Sequence, residues 1–194
     1  MAIYTNLEAI ENGKHGIWSS ALVKATISGH IWDVRVQGTV DGETVDIDVD
    51  NGVAVKVLGF SGNGYQERLG VIAGAKDKIG VTGSVAIVKD AFTRAQADEV
   101  NFYNKAGQDS KVYEIVGNEF DGDLFGVGAH QFSTAANLLV KDNYVTVDGN
   151  GGWAASATKP SASNYGFIGK IHSVKAGTFY DIVHIYAIQN EDKN

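Results

Sequence analysis

The sequence predicts an all-β protein, an antiparallel sandwich or partly closed barrel with one or two short helices and an N-terminal arm. Three observations predict it. Glycine occurs 24 times in 194 residues against one proline, Pro160, and many glycines without prolines mark tight turns at positive φ. Several short segments alternate apolar and polar residues with the period of two that a half-buried strand requires. Between them stand the turn dipeptides Asp41-Gly42, Asn51-Gly52 and Asp121-Gly122, which reverse the chain between antiparallel strands.

Residues 1–16 read as an N-terminal arm or short helix. Thr5 or Asn6 caps a turn through Leu7, Ala9 and Ile10, Glu8 falls in the first turn, and Asn12-Gly13 ends it. Such a helix is too short to stand alone, so it packs on something or reaches outward. The β domain is expected over 17–190, with a soft internal boundary near 90–100 and a solvated tail at 191–194. Ile17 to Ile27 is loosely strand-like. Trp32, Val34 and Val36 then alternate with Asp33, Arg35 and Gln37; after Asp41-Gly42, Val45, Ile47 and Val49 alternate with Thr44, Asp46 and Asp48; and Asp50-Asn51-Gly52 leads into Val53, Val55 and Val57. This reads as a three-stranded meander.

Gly59–Gly64 is a loop, Val71–Gly83 has no clear pattern, and Ser84–Val88 is expected as a buried strand. Asp90–Val100 is alanine-rich and reads as a second short helix or a surface excursion. Strands follow at Phe102-Tyr103, Val112–Val116 and Leu124–Val127, with two short ones in Leu138–Val147 hinged at Asp142-Asn143. Asp148–Ser163 is polar and glycine-rich and is expected as a long loop. Gly166–Val174 and Thr178–Ile188 form a closing hairpin. Both faces of its second strand are largely apolar, which predicts a central position.

Composition bounds function. A net charge of −7 without a lysine or arginine run argues against wrapping nucleic acid, which rewards dense positive charge. Cysteine is absent, so disulfides, thiolate metal ligands and cysteine nucleophiles are excluded together. The opening MAIYTNLEAIENGKHG lacks the basic-then-apolar order of a secretory signal, and no run of 18 apolar residues suggests a membrane span.

The motifs that suggest chemistry fail on inspection. Asp46, Asp48 and Asp50 alternate like calcium ligands, but Asn51 stands where the loop pattern wants glycine and Val57 where it wants glutamate. They read as the solvated face of a strand. Gly59–Gly64 (GFSGNG) completes neither a nucleophile elbow nor a phosphate loop. His15, His30, His130, His172 and His184 never fall at a metal-ligand spacing. Glu114, Glu119, Asp121 and Asp123 form a loose acidic group, but two of them lie in a turn and nothing fixes the separation a glycosidase needs. Trp153, in DGNGGWAAS, has nothing local to bury it, so it reads either as an anchor for a partner's pocket or as packing onto its own sheet. No catalytic residue, cofactor or metal is predicted.

Asn101-Phe102-Tyr103-Asn104 with Gly107, then Val112-Tyr113-Glu114, then Gly122-Asp123-Leu124-Phe125 and Val127 resembles the middle of small capsid-associated proteins of tailed bacteriophages. The opening Met1–Leu7 and the closing Phe167–Ile171 are similar to the same family. The segment Gln108–Lys111 is less basic than the family pattern. The resemblance implies a non-enzymatic virion protein, made in the host cytoplasm, that decorates or cements the outer surface of a phage capsid. Its implied partners are the major capsid protein or other virion subunits, with a homo-oligomer possible and neither nucleic acid nor membrane involved. On this reading Tyr4, Leu7 and Ile10 in the arm and Trp153 are the contact residues. A carbohydrate- or receptor-binding module using Trp153, Tyr144 and Tyr165 is the alternative from another class, and a tail-tube or other tail subunit is an alternative within the virion.

Overall fold

The computed structural model describes residues 15–23, 30–62, 67–86, 101–177 and 180–193. Both expected helices, the arm with Tyr4, Leu7 and Ile10, and the expected boundary near 90–100 lie outside these residues.

The chain is all-β. In chain order, β1 (Trp18–Leu22) opens a sheet that the chain then leaves. β2 (Ile31–Val40), β3 (Glu43–Asp46), β4 (Val49–Asp50), β5 (Ala54–Phe60), β6 (Arg68–Ile72), β7 (Gly80–Thr82), β8 (Tyr103–Asn104) and β9 (Ser110–Glu114) build a barrel and a small ribbon. β10 (Leu124–Gly128), β11 (Tyr144–Val147), β12 (Trp153–Ser156), β13 (Phe167–Lys175) and β14 (Ile182–Asn190) return to the sheet. Two single 3-10 turns, Ala129–Gln131 and Ala136–Leu138, lie between β10 and β11.

The sheet has six strands in the order β1-β10-β14-β13-β11-β12, all antiparallel. The barrel runs β2-β6-β5-β7-β9 and closes through β9 onto β2. Only its β2–β6 pairing is parallel. Closure removes the open edges that would otherwise invite another strand. Strand β3 hangs from β2 through the Asp41-Gly42 turn, where both residues have positive φ (52° and 85°), the geometry a two-residue hairpin favours. β4 and β8 pair as a separate ribbon.

The expected three-stranded meander is therefore half right. β2 and β3 form the hairpin, but β5 crosses the barrel to pair with β6 and β7. The Asp50-Asn51-Gly52 turn is used to dock the barrel on the sheet. Gly52 has φ +79° and its carbonyl accepts the Trp153 indole N–H at 2.9 Å, while the Asn51 carbonyl accepts from Gln131 Nε2 at 2.8 Å. Gln131 Oε1 in turn accepts from the N–H groups of Ile17 and Gly128. Asn190 ties the other end, accepting from Ile79 N–H at 2.8 Å and donating to the carbonyls of Ile79 and Ile115 at 2.7 Å each.

Two apolar cores follow. The larger lies between sheet and barrel wall and holds Phe125, Trp153 and Phe167, all fully buried, with ring centroids 5.6–6.1 Å apart. The smaller fills the barrel with Val34, Val36, Val55 and Val112. β14 is central, as its two apolar faces predict; Val183, Ile185 and Ala187 point into the larger core.

Other expectations need correction. Ser84–Ala86 is not strand, and Val85 is 77% exposed; the buried strand is β7, just before it. Leu138–Val147 contains one strand, because Asp142, at φ +74°, turns the chain ahead of β11. The expected long loop 148–163 contains β12, which pairs with β11 in register Val147↔Trp153. The end of the chain is not simply solvated: Gln189 and Asn190 belong to β14, Glu191 N–H donates to Gly166 O, and Lys193 N–H donates to Lys76 O.

Candidate functional site

At one end of the barrel, the starts of β2, β6 and β7 meet the ends of β5 and β9. The side chains at this mouth surround a cavity of about 200 Å³. Gly70 on β6 lies against Val34, with no room for a Cβ; this lets β6 run close to β2 and leaves Arg68 to fill the end. Its guanidinium lies 3.8 Å from the centre of the Trp32 ring and 4.8 Å from that of Phe60, an arrangement that stabilises a cation through the ring quadrupoles.

Charges line the rim. Lys78 pairs with Glu114, and Lys56 lies 2.6 Å from Asp77 and 3.1 Å from Asp192. Burial opposes ionisation of Glu114, but the Lys78 ammonium and the Trp32 indole N–H outweigh it and hold the carboxyl below its usual range. The Asp192 carboxyl is lowered chiefly by the Lys78 backbone N–H, against the opposing effect of burial. Hydrogen bonds to Asp77 and Asp192 raise the Lys56 ammonium. Arg68 differs from both lysines. It has no carboxylate partner among the described residues, and its Nε is buried without a hydrogen-bond acceptor.

A second, more open cavity of about 470 Å³ lies at the opposite end, beside the β4–β8 ribbon. His15 Nδ1 lies 2.8 Å from Asp50 Oδ1 and the His15 ring stacks on Tyr103 at 4.8 Å. Beneath it His130 Nε2 contacts the His15 carbonyl at 3.1 Å and its ring stacks on Tyr180. Burial pushes the His130 pKa down, against the raising effects of the His15 carbonyl and Asp50.

The third feature is the loop from Val116 to Asp123, which joins barrel to sheet. Phe120 at its tip is 91% exposed. Asn118 Oδ1 accepts from the N–H groups of Phe120 and Asp121, and Asp123 Oδ2 accepts from Val116 N–H at 2.7 Å.

The structure disperses the residues singled out from sequence. Trp153 is fully buried in the larger core, so it is not presented to a partner; the alternative, packing onto its own sheet, describes it. With Trp153 inside, no row of Trp153, Tyr144 and Tyr165 forms on the surface. Asp46 turns toward Arg35 and Gln37, Asp48 accepts from Ala106 N–H, and Asp50 holds His15 and the Gly16 N–H. Among the described residues no three His, Asp or Glu side chains gather where they could hold a metal ion. Glu114 lies at the barrel mouth, Glu119 and Asp121 are exposed on the loop, and Asp123 is buried.

Arg68, Lys56 and Lys78 were not visible as a group in the sequence, because barrel closure alone brings them together. For Phe120 there was a signal: a large apolar residue inside a turn otherwise made of Asn, Glu, Asp and Gly. The chain matches no family model, no curated protein and no solved structure.

Proposed function

We propose that this protein is a non-enzymatic structural component of a virion, a decoration or cement protein on the outer surface of a tailed-phage capsid. The observation that carries the reading is the distribution of its exposed apolar side chains. Val40, Phe60, Val85, Phe120 and Val140 are each about half exposed or more, and they sit on hairpins and loops of a body locked by two cores. Among them Phe60 and Phe120 display whole rings on a rigid frame, which suits a protein that anchors itself by contact. On a symmetric lattice, many modest contacts sum to high occupancy.

The residues behind the family resemblance support the same reading. They run through β8, β9, the Phe120 loop and β10, the path by which the chain crosses from barrel to sheet. The major capsid protein is the proposed partner, and residues 1–12, with Tyr4, Leu7 and Ile10, supply an arm toward it.

Purified shells of the virus encoding this chain, mixed with full-length protein and with protein lacking residues 1–12, test the proposal. Saturable binding by the full chain, reduced at least about tenfold without the arm, is expected. Undiminished occupancy of the truncated protein would remove the arm's role. No binding to shells, together with hits on a glycan array, would overturn the proposal in favour of a carbohydrate-binding module.

A further inference from the structure

The Phe120 loop is built to hold its tip still. Besides the Asn118 and Asp123 bonds, Asn118 N–H donates to Ala187 O, Asp123 N–H to Val116 O, and Gly122 N–H to the Tyr186 hydroxyl at 3.0 Å. Gly122 lies so close to the Ala187 carbonyl of β14 that a Cβ there would overlap it. A side chain displayed on a fixed loop loses little entropy when it binds, so such a phenyl ring is a good anchor. Exposed Glu119 and Asp121 flank it. The socket that fits this knob needs an apolar wall, room for a ring and a cation free to meet a carboxylate.

The barrel mouth, although its three cations are balanced by Asp77, Asp192 and Glu114, offers all three. Trp32, Val57 and Ile79 supply apolar wall. Its cavity of about 200 Å³ exceeds the roughly 150 Å³ that accommodates a benzene molecule in a protein interior. Lys56 and Lys78 are already matched by carboxylates, which leaves Arg68 as the rim cation still lacking one among the described residues. Phe60, 62% exposed beside it, offers an edge or face to an incoming ring.

We propose that the protein self-associates through this pair of features, Phe120 of one copy entering the barrel mouth of a second copy with Glu119 facing Arg68. Knob and socket are different surfaces of the same chain, so each copy carries one of each, and repeated use of the contact builds a ring or a chain of subunits. The decoration reading also counts Phe60 and Phe120, but a failure of self-association alone would leave it standing on Val40, Val85, Val140 and the arm.

Sedimentation velocity of the full chain from about 1 μM to about 1 mM tests the proposal. The expected result is a mass that rises with concentration and rises less at high salt. Phe120→Ala, a change on an exposed loop, should weaken association about 30-fold, as loss of a central anchor does. Arg68→Glu should do the same from the socket side, and Phe60→Ser provides a second socket variant if Arg68→Glu alters the circular dichroism or melting temperature. A mixture of Phe120→Ala with a folded socket variant should form a one-to-one pair, since one retains an intact mouth and the other an intact knob. A monomer throughout the concentration range, unchanged association of Phe120→Ala, or a mixture that fails to pair would each overturn the proposal.

Discussion

Trp153 shows how a residue's environment is decided far from its own segment. Its neighbours Gly149 and Gly151 both have positive φ (88° and 79°) and fold the chain tightly enough for Val147 to face Trp153 across β11 and β12. Phe125 and Phe167 then close on the ring, and the indole N–H reaches Gly52 O. Apart from Val147, none of these partners is local, which is why a glycine-rich stretch reads as an open loop from sequence. Trp153→Phe should keep most of the packing but lose the hydrogen bond, leaving a buried carbonyl short of a donor, at a cost of about 1–2 kcal/mol. Trp153→Ala should cost about 3–5 kcal/mol, because it also opens a cavity. Urea titrations of both variants check the ordering; equal stabilities would show that the hydrogen bond dominates and the ring does not.

At the scale of elements, the strands were legible and their neighbours were not. Alternation locates β2, β3, β5, β9 and β14 because it records which face of a strand is buried. It carries no record of which strand lies alongside, so the hairpin at Asp41-Gly42 could be read while the β2–β6 and β2–β9 pairings that close the barrel could not. The barrel mouth was hidden for the same reason: Arg68, Lys78 and Glu114 share no segment. β14 illustrates how an element end carries long-range structure. Its last residue, Asn190, makes three hydrogen bonds to Ile79, just ahead of β7, and Ile115, just past β9. Asn190→Ala should destabilise the protein by about 2–4 kcal/mol, since it strands buried backbone groups rather than removing both partners of a bond. Hydrogen exchange offers a sharper check: the Ile79 amide, now bonded to Asn190 Oδ1, should lose protection. Retained protection there would mean that sheet and barrel are held together elsewhere.

For the molecule as a whole, two histidines and two paired carboxylates predict a stability that declines in acid, with Asp109, raised by burial first, opposing them. His130 and His184 are held below the ordinary value of 6.5, in both by burial first, and in His184 also by Lys175 and His172. Their unfolded forms therefore take up protons before the folded forms do. This contribution is complete above the unfolded value and is lost as pH falls through the folded one. Glu114 and Asp192, also lowered on folding, extend the loss into the carboxylate range. Lys56 acts in the opposite direction: its raised value stabilises the fold below the ordinary lysine range and ceases to do so as pH rises through the folded value. The denaturant midpoint should be lower at about pH 5 than at about pH 7, and His130→Gln should reduce the difference. A midpoint constant across that range would contradict the account. The insertion of the barrel between β1 and β10 has a further consequence for a chain emerging from a ribosome. Leu22 of β1 pairs with Leu124 of β10, so β1 must wait for about 100 more residues before its neighbour exists. At roughly 5–20 residues per second that delay is roughly 5–20 s. The barrel's closing strand β9 ends at Glu114, about ten residues before Leu124, so the barrel strands are complete while β1 still has no sheet to join. Synthesis thus sets an order of assembly, barrel before sheet, and makes Trp18–Leu22 the segment most in need of protection while the chain is incomplete.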